Sequence, residues 1–152
     1  MNIARRLAEL GLKIPEPPAP VANYVPHVRV GPLLFLAGQV SSGPSGLIKG
    51  RLGADLSTEE GAEAAKLCAV NLIAQMRAGC AGDLDRVRQI VKIVGFVNCT
   101  PDFVEHPKVI NGASDLFVAV FGDAGRHARA AVGAPSLPLG AAVEIDAVVE
   151  IE

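Results

Sequence analysis

Side chains from Val143 to Ile151 separate into two sets: Val143, Ile145, Ala147, Val149 and Ile151 on one side, Glu144, Asp146, Val148 and Glu150 on the other. That is the period of a strand with one buried face. Further upstream the spacing changes to threes and fours. Ala65, Cys68, Ala69, Leu72, Ile73 and Met76 make one stripe of a helix. Ser57, three residues before Glu60, caps its start, and the helix is predicted to run to about Gly79. Between Val87 and Val97 the density of Val, Ile and Phe predicts a strand buried on most sides. A second helix is predicted from Pro107, a residue tolerated in a first turn, through Val109, Ile110, Leu116 and Phe117 to a stop at Gly122. Gly112 within it weakens that turn by about 1 kcal/mol relative to Ala, which marks the turn for a packing or ligand role.

Shorter elements complete the chain. Tyr24 to Val30 and Leu33 to Ala37 read as a hairpin turned by Gly31-Pro32, and Arg129 to Val132 as a short strand. Asn2 to Leu10 forms a short amphipathic helix through Ile3 and Leu7, closed by Gly11 and followed by prolines from Pro15 to Pro20. Residues 1–20 are therefore expected as a helical, proline-rich extension and residues 21–152 as the domain. The stretch Gly38 to Gly53, rich in Gly, Ser and Pro, is expected as a long surface loop. It lacks the Gly-Lys-Ser/Thr of a phosphate cradle, having Lys49-Gly50-Arg51. The order ββαβαββ defines an α+β fold, one mixed sheet with two helices on one face. The other face would remain apolar in water, so a second copy of the chain is expected to cover it.

Composition narrows the picture. The chain has 152 residues, half of them hydrophobic but only 4% aromatic and none Trp, so its core is built from Ala, Val, Leu and Ile. A net charge of -2 gives no general attraction for phosphate backbones, and nucleic acid is not the expected partner. The uncharged stretch from Val30 to Ile48 is broken by Gly, Pro and Ser, which excludes a membrane span there, and Arg5-Arg6 leads into no secretory signal. The expected location is the cytoplasm. Cys68, Cys80 and Cys99 form no CxxC pair and are expected as reduced packing residues. Asn98-Cys99-Thr100 fits a glycosylation sequon, relevant only to a secreted protein. His27, His106 and His127 lack metal-ligand spacing and are expected on the surface or in loops.

Candidate chemistry concentrates in Arg126 to Gly133 and Leu137 to Glu144. Arg129 lies on a strand, and the following strand, expected to pair with it, returns Glu144 on its polar face. The planar fork of an Arg grips a carboxylate through two charge-assisted hydrogen bonds. From these residues alone, Arg129 is either an anion site or half of a structural pair with Glu144.

The pattern Arg-x-x-Val, a Leu-Pro turn and Val-Glu-Ile-Asp-Ala resembles the C-terminal signature of the reactive intermediate deaminase family, also called the perchloric acid-soluble protein or endoribonuclease family. Asn23-Tyr24-Val25, Leu36-Ala37-Gly38-Gln39, Leu84-Asp85-Arg86-Val87 and Val109-Ile110-Asn111 resemble further family segments in the family's order. The resemblance implies a chorismate mutase-like fold and a homotrimer packed sheet to sheet, with ligand clefts between subunits. It also implies hydrolysis of small 2-imino or enamino acids to 2-oxo acids and ammonia, with neither metal nor cofactor. Arg129 matches the carboxylate-binding Arg and Glu144 the residue that positions or activates water. Tyr24 and Asn111 match cleft residues. Ala37 stands where many members have Ser, and Ala131 where they have Cys two residues after the Arg. A carboxylate-binding trimer without turnover is the alternative these two departures raise, and an endoribonuclease a third reading that the acidic charge disfavours.

Overall fold

In the computed structural model, which describes residues 1–17 and 22–152, the sequence pattern becomes a five-stranded sheet backed by two long helices. The boundary expected at residues 20 and 21 lies outside the described residues. The elements are α1 (Ile3–Glu9), β1 (His27–Val30), β2 (Leu33–Val40), a small hairpin of β3 (Ser42–Gly43) and β4 (Gly46–Leu47), α2 (Thr58–Gly79), β5 (Val87–Asn98), α3 (His106–Phe121), β6 (Ala128–Ala134) and β7 (Val143–Ile151).

Local signals placed the long elements well. Ser57 and Glu60 make a reciprocal capping box at the start of α2, the Ser57 hydroxyl accepting from the Glu60 N–H and the Glu60 carboxylate from the Ser57 N–H. Gly122, at φ 63°, ends α3. Gly112 has a packing role: α2 and α3 approach so closely there that a methyl group would stand 2.8 Å from the Ala62 carbonyl carbon.

The sheet runs β1-β2-β7-β5-β6, with β5 and β6 parallel and the other pairings antiparallel. The strand containing Arg129 was expected to pair with the one containing Glu144, and it does not. The connection through α3 is a β-α-β crossover, which sets β6 parallel to β5, and β7 then inserts between β2 and β5. Thus β5 lies between Arg129 and Glu144.

Alternation along β7 assigns the two faces. Val143, Ile145, Ala147, Val149 and Ile151 are buried against the helices with Ile90, Ile93 and Val97 of β5 and Leu34 and Leu36 of β2. Across the ladders, Val28, Phe35 and Val148 fall in register on the opposite face, as do Val132, Phe96 and Glu144. Phe35 there is 44% exposed and Val132 42%.

The helix expected as part of an extension and the stretch expected as a surface loop are both tied into this core. In α1, Ile3 and Leu7 are buried, the Ile3 N–H donates to Asp85, and the Arg6 guanidinium donates to the Ala119 carbonyl. The stretch Gly38 to Gly53 is not simply a surface loop. It includes the end of β2 and the β3–β4 hairpin, buries Leu52, and buries Ser41, whose hydroxyl donates to the Ile48 carbonyl. Asn98 is also buried, with its side-chain amide donating to the Ala141 carbonyl, so the sequon is closed to modification in the folded chain.

Candidate functional site

Arg129 lies opposite Ile93 in the β5–β6 ladder, so its side chain leaves the sheet on the helix side, at the edge strand. There α3 receives it. Its Nη1 donates to the Ser114 hydroxyl at 3.0 Å and its Nη2 to the Pro107 carbonyl at 3.2 Å. Both acceptors are neutral. Among the described residues Arg129 forms no ion pair. A half-buried guanidinium is therefore oriented by two hydrogen bonds, with donors left over for a ligand.

Behind it stands His127. Its Nδ1 lies 2.7 Å from the Gly125 carbonyl, which can only accept, so this nitrogen carries the proton. Its Nε2, 2.8 Å from the Ser114 hydroxyl, then accepts the hydroxyl proton in the neutral imidazole. Ser114 thereby turns its oxygen lone pairs toward Arg129. Burial holds the His127 pKa below the usual imidazole value, the Arg129 charge adds to that, and the Gly125 hydrogen bond opposes it. Low basicity keeps the chain Gly125–His127–Ser114–Arg129 in one donor direction at neutral pH. Sequence reasoning missed Ser114 and left His127 among surface residues. Its one available signal was the spacing of His127 and Arg129, two residues apart and thus on one side of a strand.

Glu144 occupies the other face, in register with Phe96. Burial is the main cause, and the nearby Asp146 charge the second, of a pKa raised above the ordinary carboxylate value. Its carboxylate lies against Gly38, where a Cβ would stand 3.0 Å from Oε1, so the absent side chain makes its room. Ala37 adjoins this point in an irregular stretch of the β2–β7 ladder, and its N–H donates to the Pro26 carbonyl at 2.9 Å. Tyr24, two residues before Pro26, is exposed.

The expected site residues thus fall into two groups. Arg129 and Ala131 share the helix side of β6, Ala131 lying opposite Gly95. Asn111 joins them through helical spacing, since Pro107, Asn111 and Ser114 lie at i, i+4 and i+7 of α3 and two of them hold Arg129. Glu144 and Ala37 form the second group, on the far face. An intrachain Arg129–Glu144 pair, one of the two readings of the sequence, is not formed.

A sheet with two helices on one face, a β-α-β crossover and a free Arg at its edge define an α+β protein with the chorismate mutase-like fold. The chain matches over residues 4–151 the family described as "YjgF/chorismate_mutase-like, putative endoribonuclease", and it belongs to that family. It is 49% identical to Protein TCP17 of Trypanosoma cruzi over 99% of this chain and 94% of that protein. A solved structure of a protein with unknown function from Agrobacterium tumefaciens is 48% identical, with a TM-score of 0.92 over 99% of this chain and 92% of that one. RidA from an Antarctic Psychrobacter is 25% identical, with a TM-score of 0.60 over 90% and 94% of the two chains.

Proposed function

We propose that this protein is a homotrimeric imine and enamine deaminase that hydrolyses small 2-imino acids to 2-oxo acids and ammonia. The observation that carries the reading is Arg129, a guanidinium held by neutral acceptors with no carboxylate of its own chain among the described residues. Such a cation is organised for a ligand carboxylate, and the resemblance of the Arg129 to Glu144 segment to the reactive intermediate deaminases, together with the likeness to RidA, supports the reaction class.

Because Arg129 and Glu144 leave opposite faces, one chain does not bring them to the same substrate. Closed packing of the apolar sheet faces, where Phe35 and Val132 stand exposed, would set the Arg129, Ala131 and Asn111 group of one subunit beside the Glu144 and Ala37 group and the exposed Tyr24 of the next. Arg129 then grips the carboxylate and fixes the C=N carbon. Glu144, whose raised pKa suits proton exchange nearer neutrality, takes a proton from the attacking water as its oxygen bonds to the C=N carbon and passes that proton to nitrogen. The remaining hydroxyl proton is then carried to nitrogen the same way as the C–N bond breaks, ammonia leaves and the C=O forms. An enamine is first protonated on carbon by the same group. These steps use side chains and water alone.

The test generates an imine with an amino-acid oxidase and follows its decay with and without the purified protein. Acceleration that Arg129→Lys abolishes is expected, because Lys cannot reproduce the fork. Failure to accelerate any of several 2-imino acids, with carboxylate binding retained, would instead establish a binding trimer, the reading favoured by Ala37 and Ala131 at positions without a hydroxyl or thiol.

A further inference from the structure

At the end of the sheet where β5 and β6 finish, a cleft of about 330 Å³ opens among Arg51, Cys99, Phe103, His106, Gly133 and Pro135. Cys99 follows the last residue of β5 and is clamped on both sides. Its N–H donates to the Ala134 carbonyl of β6, and it bridges to Leu52. His106 is the first residue of α3, and its Nε2 lies 3.4 Å from the Cys99 sulfur. The Phe103 ring meets the imidazole edge to face, with centroids 5.3 Å apart, which limits its rotation.

Two further features bear on this pair. A Cβ at Gly133 would stand 2.7 Å from His106 Nε2 and 2.8 Å from Cys99 Sγ, so the thiol and imidazole meet only because residue 133 has no side chain. Arg51 brings a cation to the same cleft. It donates through Nη2 to the Cys99 carbonyl, while its Nε is buried without a partner among the described residues. The other two thiols differ. Cys68 and Cys80 are fully buried, against 7% exposure for Cys99, and the Cys68 sulfur lies 3.4 Å from the Val143 carbonyl.

We propose that Cys99 and His106 form a second reactive site, nucleophile and base, that captures small carboxylates carrying an electrophilic carbon, with Arg51 receiving the carboxylate. A thiol is a strong nucleophile once a neighbouring base takes its proton. For an α,β-unsaturated acid, His106 Nε2 accepts the S–H proton and sulfur bonds to the β-carbon. The C=C electron pair moves to the α-carbon, which recovers the proton from His106. The net result is addition of S–H across the double bond. This site is separate from Arg129 and does not rest on the deaminase reading.

Iodoacetate and iodoacetamide present the same reacting carbon with and without a negative charge, so their relative rates at Cys99 read both reactivity and charge selection. The full-length protein is alkylated with each and the modified cysteine mapped by mass spectrometry, with glutathione as the free-thiol reference. Cys99 is expected to react before Cys68 and Cys80, with an iodoacetate-to-iodoacetamide rate ratio about tenfold above that of glutathione. Arg51→Gln should return the ratio to the glutathione value, whereas His106→Gln should slow both reagents by roughly 10² without moving the ratio. Acrylate should leave an adduct on Cys99. Thermal melting of each variant separates misfolding from lost chemistry. Cys99 reacting no faster than its two buried counterparts, or showing the glutathione ratio in the parent protein, would overturn the proposal.

Discussion

Gly112→Ala is a small change aimed at the closest approach of the two long helices. A methyl group at residue 112 would lie 2.8 Å from the carbonyl carbon of Ala62 and 3.0 Å from its Cα, and nearer still to the carbonyl oxygen. Carbon atoms in contact normally sit about 3.5–4.0 Å apart, so α3 must withdraw from α2 by roughly 1 Å. The obstruction is backbone, and no rotamer change relieves it. Overpacking costs about 1–3 kcal/mol, and a rigid obstacle sets this case near the upper end. Ala recovers about 1 kcal/mol of helix propensity over Gly. The net loss is then about 2 kcal/mol, or roughly a 1 M fall in the urea midpoint at an m-value of about 1.5–2 kcal/mol/M. Unfolding followed by far-ultraviolet circular dichroism at fixed protein concentration measures it, since any oligomer couples stability to concentration. An unchanged or raised midpoint would refute the close-packed interface and leave propensity as the sole effect. Because α3 also carries the Ser114 and Pro107 acceptors, the same variant should bind a 2-oxo acid more weakly.

Two other outcomes follow from the site. Ser114→Ala removes one of the two acceptors that orient Arg129 and the donor to His127. Water can replace part of both at this half-exposed position, so carboxylate binding should weaken by about 1 kcal/mol, close to fivefold, in a chemical-shift titration with a 2-oxo acid; undiminished affinity would show that Ser114 does not orient the fork. Glu144→Gln should remove turnover but retain carboxylate binding. It should also change the pH dependence of stability. The parent's Glu144 has a pKa raised in the folded chain, so its contribution is fully present below the unfolded value of about 4.3 and is lost as pH rises through the folded value. Gln cannot ionise, so the melting temperature of the variant relative to the parent should be higher at pH 7 than at pH 4. The same difference at both values would contradict the assigned cause.

How much was legible in the chain depended on the range of the interaction. The capping box at Ser57 and Glu60, the stop at Gly122 and the two faces of Val143 to Ile151 are set by neighbours within a few residues, and each appears where the pattern places it. Residues Arg129 and Glu144 could be singled out by type and by their family resemblance. Their relation could not. Strand alternation specifies two faces but not which strand lies alongside, and the insertion of β7 between β2 and β5 puts β5 between the two residues and turns them to opposite faces.

The same limit applies to the groups that only the folded chain brings together. Ser114 meets Arg129 across 15 residues and His127 across 13, because the β-α-β crossover returns β6 beneath α3. Cys99 and His106 are close in sequence, but their meeting requires a third position, Gly133, with no side chain. By itself the sequence determined the long elements, the apolar faces and the residue types able to do chemistry, since these follow from local periodicity and composition. Tertiary structure decided which of those residues meet, because strand order and helix approach arise from burying the whole core at once.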